Sequence, residues 1–149
     1  MIALSLKPTT CSWSTISFHS TLYTRPVLDV LIAKVPTLWQ AEVRLGLQEA
    51  IVNAALHGNE LDPRKKVVIE YASYAPIYQW LIKDQGSGFA SQKEVQRCLC
   101  GGMCETDESG RGTWLLTQIF DHVEWNEQGN QLYLGKYIHH LQAKRPLIC

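Results

Sequence analysis

The 149-residue sequence predicts an α+β fold, with a mostly antiparallel sheet and helices stacked on one of its faces. Two observations point there. Stretches of alternating character come in pairs joined by short turn-forming segments, as antiparallel hairpins do. Densely apolar helical stretches precede and separate those pairs, and residues of class AVILMFWYC make up 46% of the chain against 19% charged, enough for one packed core and too apolar for disorder.

In order along the chain, "WSTISFHSTLY" (13–23) sets Trp13, Ile16 and Phe18 among hydroxyl residues and predicts a first strand. In "TRPVLDVLIAKV", Thr24 is the expected N-cap and Pro26 lies close to the first helical position. Val27, Leu28, Val30, Leu31, Ile32 and Val35 cluster too densely for a single stripe, so this helix is expected to be well buried. A second helix is expected over Thr37–His57, with Gly58 as a left-handed stop. "KVVIEYAS" and "YQWLIKD" read as a hairpin closed near Pro76. Residues 85–112 are rich in Gly, Ser and charge, a length that in a compact domain marks a functional lid. "TWLLTQIFDHV" returns to helix with Leu115, Leu116, Ile119 and Phe120 on one side, and a last hairpin turns at Gly129 and Asn130. No repeat or linker divides the chain.

Fourteen Lys and Arg balance fourteen Asp and Glu, which removes electrostatic support for bulk nucleic-acid binding. No stretch approaches the roughly 18 apolar residues of a membrane span. "MIALSLKPTTCSWS" is too weak for a secretory signal, and the five cysteines are read as thiols, so a cytoplasmic location is expected.

Three stretches carry chemistry. Glu49 and Asn53 stand four residues apart in the second helix, one above the other on its surface. An Asn amide oxygen suits Mg²⁺, and a carboxylate one turn away can take a proton from an attacking hydroxyl. Such pairs also occur on plain solvent faces. "LIKDQGSGF" ends a strand with Asp84 and follows it with Gly86 and Gly88; an ionised Asp there can accept from an exocyclic amine, and glycines let a flat ligand approach. Asp and Gly also populate ordinary turns. In "DESGRGTWLL", Ser109, Gly110 and Gly112 are expected immediately before a helix, where free N–H groups meet anions, and Arg111 adds a bidentate donor. It lacks the G-K-[ST] ending of a Walker A loop. Taken in order, the three stretches would serve one ATP molecule.

"EAIVNAALHGN", "DQGSGF" and "SGRGTWLL" resemble the N, G1 and G2 boxes of the gyrase, chaperone, histidine-kinase and mismatch-repair (GHKL) ATPase superfamily. Within it, "NAALHGNELDP" and the small size are similar to the anti-sigma regulatory factor serine/threonine kinases, over roughly residues 10–137. The resemblance implies a Bergerat-type ATP-binding fold, a two-layer α/β sandwich with a mostly antiparallel mixed sheet, as one domain over 1–149 with a lid at 89–109. It implies Asn53 as the Mg²⁺ ligand, Glu49 as the general base for a substrate hydroxyl, and Asp84 as the reader of the adenine amine. Gly86 and Gly88 would shape the adenine pocket, and Gly110, Arg111 and Gly112 would hold the phosphates. The implied activity is a Mg²⁺-ATP-dependent protein serine/threonine kinase acting on an anti-sigma-factor antagonist in a partner-switching pathway, with a sigma factor as second partner and, by analogy, a homodimer.

The chain departs from the family pattern at Glu108, where some members carry Arg, at Trp114 early in the helix, and on the last strand. There a threonine often backs the adenine-binding Asp, and "GNQLYL" offers Gln131 at about that place. These departures motivate an alternative: a nucleotide-dependent protein-binding module without phosphotransfer. A histidine-kinase catalytic half is weaker, since no helical hairpin carries a phosphoacceptor His. Cys98, Cys100 and Cys104 lack the C-x-x-C spacing of a zinc site and are read as lid residues.

Overall fold

The computed structural model describes residues 12–88 and 108–138, the side chains of 108–111 excepted. The expected lid with its Cys98, Cys100 and Cys104 falls outside the described residues, as do the side chains of Glu108 and Arg111.

Five strands form one sheet in the order β1-β2-β3-β5-β4: β1 Ser14–His19, β2 Lys66–Tyr74, β3 Ile77–Lys83, β4 His122–Trp125 and β5 Gln131–Tyr137. Every pairing among the described strands is antiparallel, as expected of a mostly antiparallel sheet. The β2–β3 hairpin pairs Tyr74 with Ile77 and so places Ala75 and Pro76 in the turn. In the β4–β5 turn Gly129 takes φ +73°, the left-handed value that glycine adopts without a Cβ penalty.

Helices α1 (Arg25–Ile32), α2 (Thr37–Asn53) and α3 (Glu108–Ile119) cover one face. The strands turn Ile69, Trp80, Ile82, Leu132 and Leu134 toward Leu28, Leu31, Leu47, Ile51, Leu116 and Phe120, all buried. Trp80 is fully enclosed: its Nε1–H donates to the Leu31 carbonyl at 3.3 Å and its ring meets Phe120 edge-on, centroids 5.8 Å apart. Each group of that indole therefore has its partner in the core. Trp13 and Trp114, by contrast, are exposed.

Helix α1, expected to be well buried, is amphipathic. Leu28, Leu31 and Ile32 face the core, but Val30 is 46% exposed. Thr24 is its N-cap by position, yet its side chain makes no capping bond. At the other end, Gln40 Nε2 donates to the carbonyls of Val35 and Ile32, satisfying groups that a helix end leaves open.

The end of α2 also differs from expectation. The α-helix stops at Asn53 and continues as a π turn over Ala54–Gly58, closed by Asn59 N–H donating to the Ala54 carbonyl at 2.8 Å. Gly58 is not the left-handed residue; Glu60 and Leu61 are, each at φ 54°. Asn59 explains the geometry. It is completely buried, its Nδ2 donates to Ser20 Oγ (2.9 Å) and the Lys66 carbonyl (3.0 Å), and its Oδ1 accepts from Gln85 N–H (2.7 Å). One amide thus ties the end of α2 to β1, β2 and the segment after β3, and the turn that follows must accommodate it.

Candidate functional site

Asn53, Asp84 and Thr113 line one open cleft. Ala50 of α2 and Ala54 of the π turn form one apolar wall, Ile82 and Leu132 of the sheet the floor, and Trp125 with Gly129–Gln131 the far side. The topology makes this possible. β3 lies beside β5, so Asp84, just past β3, faces the β4–β5 turn, and α2 passes over both.

Asp84 is held on two sides. Its N–H donates to the Asn130 carbonyl (3.0 Å), and its Oδ1 accepts from Gly86 N–H (2.8 Å). A Cβ on Gly58 would stand 2.4–2.7 Å from the Asp84 carboxyl atoms, and one on Gly86 would stand 2.0 Å from the Gly58 carbonyl oxygen. The two glycines are therefore required by contact with each other and with Asp84. Gly88 has φ +86°, and a Cβ there would collide with the Gln128 carbonyl, so this segment lies flush on the β4–β5 turn.

Burial pushes the Asp84 carboxyl above the ordinary carboxylate range, offset in part by the Gly86 hydrogen bond and the charge of Lys65. A carboxyl whose pKa is raised on folding favours the folded state fully below its unfolded pKa, and that advantage is lost as pH rises through the folded value. At pH 7 the protein thus carries the cost of an ionised, half-buried group. Asp84→Asn keeps an oxygen for Gly86 N–H and removes the charge. Its thermal midpoint at pH 7 is expected to equal or exceed that of wild type, with the advantage vanishing toward pH 4; a clear loss of stability at pH 7 would contradict this account.

Glu49 stands one turn before Asn53 but does not line the cleft. Its carboxylate lies against α3, where a Cβ on Gly112 would come within 2.0 Å of Oε1. Ser109, Gly110 and Gly112 were expected before the helix; α3 in fact begins at Glu108, so they belong to its opening turns. The N–H groups without intrahelical partners are then those of residues 108–111. His57 is exposed.

Sequence reasoning missed Asn59, whose only local signal is its place after Gly58, and it misplaced the residue opposite Asp84. Gln131 reaches the cleft wall, but the register pairs it with Lys83. The next step of the ladder sets Asn130 against Asp84. Among the described residues no three His, Cys, Asp or Glu gather to hold a metal, and no helix is long and apolar enough to cross a membrane.

The sequence profile of the family described as "Histidine kinase-like ATPase domain" matches residues 26–136. Curated relatives include an "Anti-sigma F factor" of Geobacillus sp. (strain WCH70), 29% identical over 121 residues (78% of this chain, 83% of the relative). Another, from Geobacillus thermodenitrificans (strain NG80-2), is 27% identical over 132 residues (85% and 88%). A third, from Bacillus cytotoxicus, is 29% identical over 126 residues (81% and 86%). With the profile spanning α1 to β5, well over half of the chain, the chain belongs to the histidine kinase-like ATPase family.

Proposed function

We propose that this protein is a Mg²⁺-ATP-dependent serine/threonine kinase of anti-sigma-factor type, acting in the cytoplasm on an antagonist protein and also engaging a sigma factor. What supports the reading is the meeting of Asn53, Asp84 and Thr113 in one cleft of a chain whose relatives are named anti-sigma F factors.

Each residue has a role in this scheme. The Asp84 carboxylate accepts from the adenine amine, and the apolar walls exclude water from the base. Asn53 would be the residue that holds Mg²⁺: it lines the cleft without a hydrogen-bond partner among the described residues, and an amide oxygen is a hard, neutral ligand suited to that ion. When bound, the metal neutralises charge on the phosphates. The opening turn of α3, with Gly110, Arg111 and Gly112, receives those phosphates. Glu49 takes the proton of the substrate hydroxyl as its oxygen bonds to the γ-phosphorus and the bond to ADP breaks.

Calorimetric titration with ATP tests the scheme, with and without Mg²⁺, on wild type, Asn53→Ala and Asp84→Asn. Mg²⁺ is expected to strengthen binding to wild type, and this enhancement should disappear in Asn53→Ala. Asp84→Asn should lose about tenfold to a hundredfold in affinity, the worth of a hydrogen bond to a charged group. A wild type that binds no ATP would end the nucleotide reading. ATP-dependent capture of the antagonist without phosphate transfer would replace the kinase with a nucleotide-switched binding module.

A further inference from the structure

Three successive backbone N–H groups follow strand β3, and each has its own acceptor. Asp84 N–H donates to the Asn130 carbonyl (3.0 Å), Gln85 N–H to Asn59 Oδ1 (2.7 Å) and Gly86 N–H to Asp84 Oδ1 (2.8 Å). The last bond closes an Asx turn, so the direction of the Gly86 N–H sets the rotation of the Asp84 carboxyl. Asn59 fixes the peptide plane between Asp84 and Gln85, the one on which that direction depends. The Gln85 side chain holds the same residue from its other side, with Oε1 accepting from Lys66 N–H at 2.7 Å. Asp84 Oδ2 is left without a hydrogen-bond partner among the described residues.

Asn59 is 0% exposed, and its orientation is dictated by the backbone. Gln85 N–H needs an acceptor and the Lys66 carbonyl (3.0 Å) needs a donor, so the amide oxygen and nitrogen cannot exchange places. The remaining Nδ2 hydrogen goes to Ser20 Oγ (2.9 Å), which itself donates to the Lys65 carbonyl (3.0 Å). The side chain thus has two separable arms. Oδ1 reaches the segment that carries Asp84, and Nδ2 reaches the end of β1 and the start of β2.

We infer that Asn59, acting through the Gln85 N–H, is the positioning residue that holds the Asp84 carboxyl in the rotamer that receives the nucleotide base. Asn59 itself does not line the cleft. This rests on the nucleotide reading of the cleft and deepens it: the rotamer of the base-reading acid is locked from the end of α2, as a binding group is locked by the residues packed behind it.

The test titrates ATP and purine riboside triphosphate, which lacks only the exocyclic amine, into the whole protein by calorimetry below the thermal midpoint of each variant. The ratio of the two affinities reads the amine contact alone. Lost phosphate contacts or a smaller folded fraction weaken both ligands together and leave the ratio where it was. Wild type should favour ATP about tenfold to a hundredfold, the worth of a hydrogen bond to a charged group. Asn59→Ala removes the acceptor of Gln85 N–H and should bring the ratio to about threefold or less. Ser20→Ala cuts only the arm to β1, so its thermal midpoint should fall while the ratio stays at the wild-type value. Asn59→Asp keeps an acceptor for Gln85 N–H but loses the amide donors, so it should lose stability and yet rescue the ratio relative to Asn59→Ala. It also decides the matter where Asn59→Ala does not fold. Asn59→Ala keeping the wild-type ratio, Asn59→Asp losing it, or Ser20→Ala losing it as far as Asn59→Ala does, would overturn the inference. A wild type that binds neither ligand, or both equally, overturns the nucleotide reading on which it rests, so the two failures are distinguishable.

Discussion

Glu49→Gln is expected to lower phosphotransfer to an antagonist protein at least about a hundredfold, the usual contribution of a positioned general base. Mg²⁺-ATP affinity should stay at the wild-type level. The separation of the two effects follows from where the side chain lies. Glu49 is on the same helix face as Asn53 but outside the cleft lining, its carboxylate resting on Gly112 of α3. Gln fills the same volume against Gly112, so α2 and α3 keep their spacing while the proton acceptor is lost. Single-turnover transfer from ATP to a serine or threonine substrate measures the chemical step, and calorimetry measures binding separately. Transfer at the wild-type rate would remove Glu49 from the mechanism. A parallel fall in affinity would instead make it a packing residue of the α2–α3 interface.

The hairpins and their turns were legible because a strand's pattern is local: β2 and β3 alternate, and Pro76 and Gly129 punctuate them. Asn53 and Asp84 stood out for a different reason, as an amide on a helix and an acid at a strand end, and the structure brings the two to one cleft. What the sequence hid depends on contacts across the fold. Gly58 follows a helix and reads as its left-handed stop, yet its need for glycine comes from the Asp84 carboxylate, 26 residues on. Asn59 looks like one more polar turn residue until Ser20, Lys66 and Gln85 close around it. Gln131 and Asn130 differ by one position, and only the register decides which of them faces Asp84, because a one-residue slip reverses the face of every side chain. The start of α3 was placed late for a related reason. Glycines in an opening turn depress local helix propensity, and packing against α2 outweighs it.

Lys136→Met is expected to destabilise the protein by about 3–5 kcal/mol, the typical cost of breaking a buried ion pair from one side. Lys136 is only 7% exposed although it carries a charge. Its Nζ donates to the Ile119 carbonyl, lies 3.8 Å from Glu42 Oε1 and sits over the Trp39 ring, 4.6 Å from the centroid. Met reproduces the apolar stem but not the ammonium. The Glu42 carboxylate, 2% exposed, then stays in a low-dielectric site without that cation, and the last turn of α3 loses both a donor and the favourable charge at its negative dipole end. Glu42→Leu combined with Lys136→Met removes both charges together and should recover most of the loss. Urea denaturation compares the three proteins, with an unchanged m-value showing that stability alone has moved. A cost below about 1 kcal/mol for the single substitution would mean that water reaches Glu42 and that the pair is effectively a surface one. The location gives the pair its functional weight. Helix α3 is anchored by Lys136 at its C-terminal end and rests on Glu49 at Gly112 near its start. Loosening the anchor should therefore shift the helix that opens the phosphate side of the cleft, so that Lys136→Met weakens Mg²⁺-ATP binding at temperatures where the protein is still folded, and the double substitution restores it.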